Sequence, residues 1–180
     1  MPNDEAPIAG AQGPITISHL LGEMTWLLTQ SRQHSALAVA DLEWLIMPPL
    51  IHRQFYIFRD GERPVGLALW ARCNRAAEEK IEDGLGQSGL SVEDWNSGDR
   101  LWLVELVAPF ADDSNRHREI MFADLITGPL AGQAFKFHET DFRTGERRVR
   151  LTPADSGGAL IRSLETALAN ASPAARASPC

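Results

Sequence analysis

Cysteine is scarce: Cys73 and Cys180 are the only two, and the second closes a Ser/Ala/Pro-rich tail. That excludes a disulfide scaffold and any CxxC motif, and it suits a reducing compartment. Basic charge is in deficit too. With 17 Lys and Arg against 24 Asp and Glu, the formal net charge is -7, so bulk electrostatics draw the chain neither to nucleic acid nor to an anionic membrane. Long apolar runs are missing as well. Nothing approaches the roughly 18 apolar residues of a spanning helix, and Met1-Pro2-Asn3-Asp4-Glu5 lacks the basic region and apolar stretch of a secretion signal. The expected location is cytoplasmic, with no membrane span. Five histidines occur, His19, His34, His52, His117 and His138, yet none is spaced as HExxH. No metal is expected. GxSxG, P-loop and strand-borne GxGxxG motifs are also absent, which removes those nucleophile and phosphate-cradle chemistries.

What is present is ordinary globular material, 44% hydrophobic and 23% charged over 180 residues, enough for one domain with a sizeable core. Residues 1–15 and 172–180 are rich in Ala, Gly, Pro or Ser and are expected to be flexible flanks of a domain covering 16–171. Ile17, Leu20, Leu21, Met24, Leu27 and Leu28 repeat at helical spacing behind a Thr16 or Ser18 cap. A second helix is expected over Ala36 to Ile46, stopping at Pro48-Pro49. Strands at Gln54 to Arg59 and Val65 to Arg72 flank a Gly-containing turn. A polar helix follows at Asn74 to Glu82, then the Gly-rich stretch Gly84 to Gly89, then a central strand at Leu101 to Ala108. Asp112 and Asp113 mark the expected start of a helix that turns Ile120, Met121, Leu125 and Ile126 inward and ends at Gly128-Pro129. A last hairpin, Gln133 to Phe142 and Glu146 to Thr152, precedes a helix at Ala159 to Ala169. The order predicts an α/β domain, a mixed sheet flanked by helices.

Two residues attract chemical interest. Glu105 lies mid-strand in Leu101-Trp102-Leu103-Val104-Glu105-Leu106-Val107, where an ionised carboxylate must be paired, protonated or turned toward a water-filled cleft. His34 lies between two helices, and an imidazole is a side chain suited to proton transfer. Bland readings stand beside both: a solvated turn histidine, and a strand-edge acid that reaches water. Arg143, Arg147, Arg148 and Arg150 form a basic hairpin on an acidic chain, read either as a docking surface for an acidic partner or as a charged edge that resists aggregation. Trp26, Trp44, Trp70, Trp95 and Trp102 offer aromatic walls for a channel or plain core packing.

These residues together resemble the RTX toxin-activating lysine acyltransferases, the hemolysin-activating acyltransferases. The likeness is carried by Leu21-Gly22 with Trp26-Leu27, Ser31 and His34, Pro48, Gln54 before an aromatic strand, Pro64-Val65, Trp70, and Asp94-Trp95-Asn96-Ser97-Gly98-Asp99-Arg100 leading to Ala108-Pro109-Phe110. It spans roughly residues 20 to 150. The resemblance implies a GNAT-like fold and an acyl-ACP-dependent protein-lysine N-acyltransferase. Such an enzyme moves a fatty acyl chain from the phosphopantetheine thioester of acyl carrier protein to internal lysines of an RTX protoxin, with no bound cofactor and the possibility of a homodimer. It places the family's catalytic histidine on His34 and its catalytic aspartate on Glu105, here one methylene longer. His34 is then the general base and Glu105 the residue that orients it, because a protonated lysine, with a pKa near 10.4, must lose its proton before it attacks a thioester. Backbone N–H groups near the strand end at Ala108 to Ala111, or at the start of the next helix around Asp112, are the expected oxyanion donors. Two alternatives stay open: a catalytically weakened family member that acts as a binding protein, and a coenzyme A-dependent N-acetyltransferase.

Overall fold

Helix α1 (Ile17–Gln30) begins where Thr16 Oγ1 accepts the His19 N–H at 3.2 Å, and it buries Met24, Leu27 and Leu28. The computed structural model describes residues 16–85, 89–112, 114–141 and 144–171. The flanks expected to be flexible, 1–15 and 172–180, lie outside them, as do Asp113, Arg143 and the middle of the Gly-rich stretch.

The second expected helix is broken. A 3-10 turn (Val39–Asp41) leads to α2 (Leu42–Leu45) and then to α3 (Met47–His52), so Pro48-Pro49 opens a helix where the sequence reading had it closing one. Proline lacks an N–H, and the first turn of a helix has no intrahelical use for one, so the two prolines fit there without loss. The hairpin is as expected: β1 (Phe55–Asp60) and β2 (Arg63–Cys73) pair antiparallel. Asn74 caps α4 (Arg75–Glu82) by accepting the Ala77 N–H at 2.9 Å.

Strand β3 (Arg100–Val107) pairs antiparallel with β2 and parallel with β4 (Phe135–Thr140), and β5 (Arg147–Thr152) completes a five-stranded mixed sheet of order β1-β2-β3-β4-β5. The chain crosses from β3 to β4 through α5 (His117–Thr127), against which α6 (Ser156–Ala171) packs. Helix α5 starts later than its acidic residues suggested. Asp112 Oδ1 already accepts the N–H and hydroxyl of Ser114 and the N–H of Asn115, so its side chain closes the loop before the helix. Ile120 is 54% exposed, against the expectation, because the inward stripe of α5 runs through Met121 and Leu125.

The sheet separates two apolar layers. On one side α1, α3 and α4 cover Leu67, Leu69, Trp95 and Trp102; on the other α5 covers Ala68, Trp70, Leu101, Leu103 and Phe135. Burying each large apolar side chain stabilises the domain by about 1.5–3 kcal/mol before chain entropy opposes it. Trp70, Trp95 and Trp102 are therefore core residues and none of them walls a channel.

Candidate active site

His34 sits in the turn that leaves α1. Its N–H reaches the Ser31 carbonyl at 3.0 Å, and its own carbonyl accepts the Leu37 N–H at 3.0 Å, so the backbone on both sides is tied down. The buried Ser31 Oγ lies 2.8 Å from His34 Nδ1. With Nδ1 occupied, the other ring nitrogen is the one left for chemistry.

That nitrogen faces Glu105: His34 Nε2 and Glu105 Oε1 are 3.5 Å apart, with the imidazole 9% exposed and the carboxylate 32%. The separation exceeds a good hydrogen bond, so the pair leaves a slot that a third group can bridge. A bulge creates the meeting. In the β2–β3 register Leu69 faces Glu105 while Trp70 faces Leu103, which leaves Val104 as one extra residue on β3. With strict alternation Glu105 would join Leu101 and Leu103 in the α5 layer. The extra residue reverses the phase and turns Glu105 toward α1.

Beyond the pairs Trp102↔Lys136 and Leu103↔Phe137, β3 and β4 part. The gap opens into a cleft of about 960 Å³ that Glu105 lines together with Gln33 and Val104. Its outer part is charged, with Arg116, Arg118, His138 and Arg147 close to Asp112, Glu119 and Glu139; its inner part is apolar. No tryptophan lines it; its aromatic walls are Phe122 and Phe137.

The remaining expected residues fall as follows. Arg147 lines the cleft and donates to His138 Nδ1 at 3.1 Å, which places the His138 proton on Nε2. Burial, with the Arg147 charge second, holds His138 below its ordinary pKa. Arg148 pairs with Glu146 at 2.9 Å and Arg150 with Glu139 at 2.7 Å, so those two cations are matched within their own hairpin. Among the expected oxyanion donors, the Ala111 N–H is bonded to the Ala108 carbonyl and the Asp112 N–H to Asn115 Oδ1. Cys73 is buried, its thiol donating to the Arg100 carbonyl, and burial with nearby Glu78 pushes its pKa up to about 11, so it stays a thiol. Among the described residues no cluster of three potential metal ligands forms, and no helix is long and apolar enough to cross a membrane.

Ser31 and His138 were not singled out as site residues from sequence. The Ser31-x-x-His34 spacing, which suits one turn, was the available signal for the first. His138 becomes visible only when β4 is laid beside the cleft.

The fold is thus a mixed α/β sheet in which a histidine and a carboxylate from distant segments meet beside splayed parallel strands. The sequence model of the RTX toxin acyltransferase family matches residues 14–153, and the chain belongs to that family. It is 33% identical over 98 residues to the RTX-III toxin-activating lysine-acyltransferase ApxIIC of Actinobacillus pleuropneumoniae, covering 54% of this chain and 56% of that one. It is also 33% identical over 107 residues to the protein-lysine myristoyltransferase RtxC of Kingella kingae, covering 58% and 62%. The leukotoxin-activating lysine-acyltransferase LktC serotype A11 of Mannheimia haemolytica shares 28% identity over 142 residues, covering 72% and 84%. The alignments to the first two thus span less than two thirds of those relatives.

Proposed function

We propose that this chain transfers a fatty acyl group from a carrier-bound thioester to the side-chain amine of a lysine in an RTX-type protoxin. The observation that carries the reading is the 3.5 Å approach of His34 Nε2 to Glu105 Oε1 at the rim of the cleft. The incoming ammonium meets the more exposed carboxylate and releases one proton to solvent there. As the neutral amine nitrogen bonds to the thioester carbonyl carbon, Nε2 takes a second proton from it; the C–S bond breaks and the proton held on Nε2 passes to the departing sulfur, giving amide and thiol. Once Nε2 is protonated, Glu105 accepts its N–H, and so orients and stabilises the imidazolium formed on the way.

Ser31 Oγ can accept Nδ1–H in the tautomer that acts as base. With Nδ1–H donated to Ser31 Oγ, Nε2 carries the free lone pair. The high pKa of Cys73 favours direct transfer over a cysteine-bound intermediate.

A single phosphodiester, as on a phosphopantetheine arm, suits the mixed charge of the outer cleft better than the several phosphates of coenzyme A. Asp112 stands there, held ionised first by the Ser114 hydroxyl and then by loop N–H groups. Acyl carrier protein is therefore the proposed donor, and the fully paired Arg148 and Arg150 leave Arg147 as the docking arginine nearest the site.

The test is to incubate the purified chain with fatty acyl carrier protein and an RTX-type protoxin fragment, and to seek amide-linked acyl-lysine by mass spectrometry. Wild-type transfer that is lost in His34→Ala is expected; transfer by His34→Ala at the wild-type rate would end the proposal.

A further inference from the structure

We infer that the inner end of the cleft is a groove for the hydrocarbon tail of the acyl donor, and that Ala123, Ile126 and Leu160 gauge the length of chain it accepts. The inference rests on the acyltransferase reading and goes beyond it by saying where the tail lies.

Two elements carry the same polarity gradient. Along α5 the lining changes from Arg118 and Glu119 to Phe122, Ala123 and Ile126. Along β4 it changes from Phe137 to His138, Glu139 and Thr140. Helix α5 returns the chain between two parallel strands, so its N-terminus lies beside their C-terminal ends. Both gradients therefore run from a charged mouth to an apolar inner end, where Leu103 and Phe137 are still paired. Glu105 stands two residues beyond that pair, between the two regions.

Such a cavity matches a molecule with a charged head, a reactive centre and an apolar tail. From Glu119 to Ile126 the helix rises about 10 Å, far more than an acetyl group occupies. The inner end has a fixed wall. A Cβ on Gly157 would lie 2.1 Å from the Ile126 carbonyl oxygen, so the absence of a side chain is what lets α6 seat directly on α5. Leu160, three residues further on, is thereby held against the cleft.

The experiment compares the full-length wild type with Ala123→Phe and Leu160→Ala, using acyl carrier protein charged with octanoyl, dodecanoyl or hexadecanoyl groups. Ala123→Phe is expected to lower the ratio of hexadecanoyl to octanoyl kcat/KM about tenfold or more, and Leu160→Ala to raise it. Unchanged ratios in both variants, with melting temperatures near wild type, overturn the inference. Equilibrium binding of hexadecanoyl-pantetheine separates this failure from that of the reading beneath it. Wild-type binding that Ala123→Phe abolishes, with no transfer from any donor, keeps the groove and removes the acyltransferase. Binding equal in the two proteins removes the groove.

Discussion

At the scale of single residues, the site consists of one ring nitrogen held by Ser31 and the other turned to Glu105. Each contact gives a distinct expectation. His34→Ala should lower kcat about 10²–10⁴-fold with far-UV circular dichroism unchanged, since general-base assistance is worth that much. Glu105→Gln keeps the shape and removes the charge, so transfer should fall while the melting temperature holds; a kcat equal to wild type would remove the carboxylate from the mechanism. Ser31→Ala costs one hydrogen bond to the imidazole, about 1 kcal/mol, and should slow transfer by roughly five- to tenfold. His34 was legible in the sequence through its place between helices and its family setting. Glu105 was legible too, as a charge inside an apolar strand; their 3.5 Å contact was not, because 71 positions of chain separate the two and only the sheet brings them together.

At the scale of elements, β3 depends on the buried Glu78 of α4. Its carboxylate accepts Trp102 Nε1–H at 3.0 Å, Arg100 Nη1–H at 2.9 Å and the Lys136 ammonium at 3.0 Å, tying α4 to β3 and β4 below the cleft. Burial alone would raise the pKa of Glu78, but these donors more than offset it and hold it low. Glu78→Ala would leave the buried Trp102 N–H without a partner. Because Arg100 and Lys136 are partly exposed, the expected loss of unfolding free energy is about 2–3 kcal/mol, read by urea titration. A loss below about 0.5 kcal/mol would show the network to be incidental. Hairpins and α1 were readable because alternation and capping are local. The β3 bulge was not: Leu101 to Val107 is apolar except at Glu105, so no pattern in the strand marks where its phase reverses. Pro48-Pro49 was misread for a related reason, since proline both ends helices and begins them and only the neighbouring backbone decides which.

At the scale of the whole molecule, acidification should act in two windows. His138 has a depressed folded pKa, so the unfolded chain binds its proton first; stability declines as pH falls through the unfolded value near 6.5 and levels off below the folded value. Glu23, held low chiefly by its hydrogen bond from Arg59, behaves with Glu78 in the carboxylate manner. Their contribution is complete above about pH 4.3 and is lost as pH drops through their lower folded values. Melting temperatures between pH 7 and 5 should fall in the wild type and flatten in His138→Gln, whereas the decline below pH 4 should persist in both. Equal slopes for the two proteins in the first window would assign that decline to other groups.

The chain by itself determined the kinds of element, their order and the family, because helical spacing, strand alternation, caps and turns act over a few residues and are written locally. Tertiary structure alone decided that Glu105 turns toward α1, that β3 and β4 part into a cleft, and that Ser31, His34 and Glu105 meet at its rim. Those outcomes depend on strand register and on helices packing across the sheet, and such contacts between distant segments leave no periodic trace in the residues that make them.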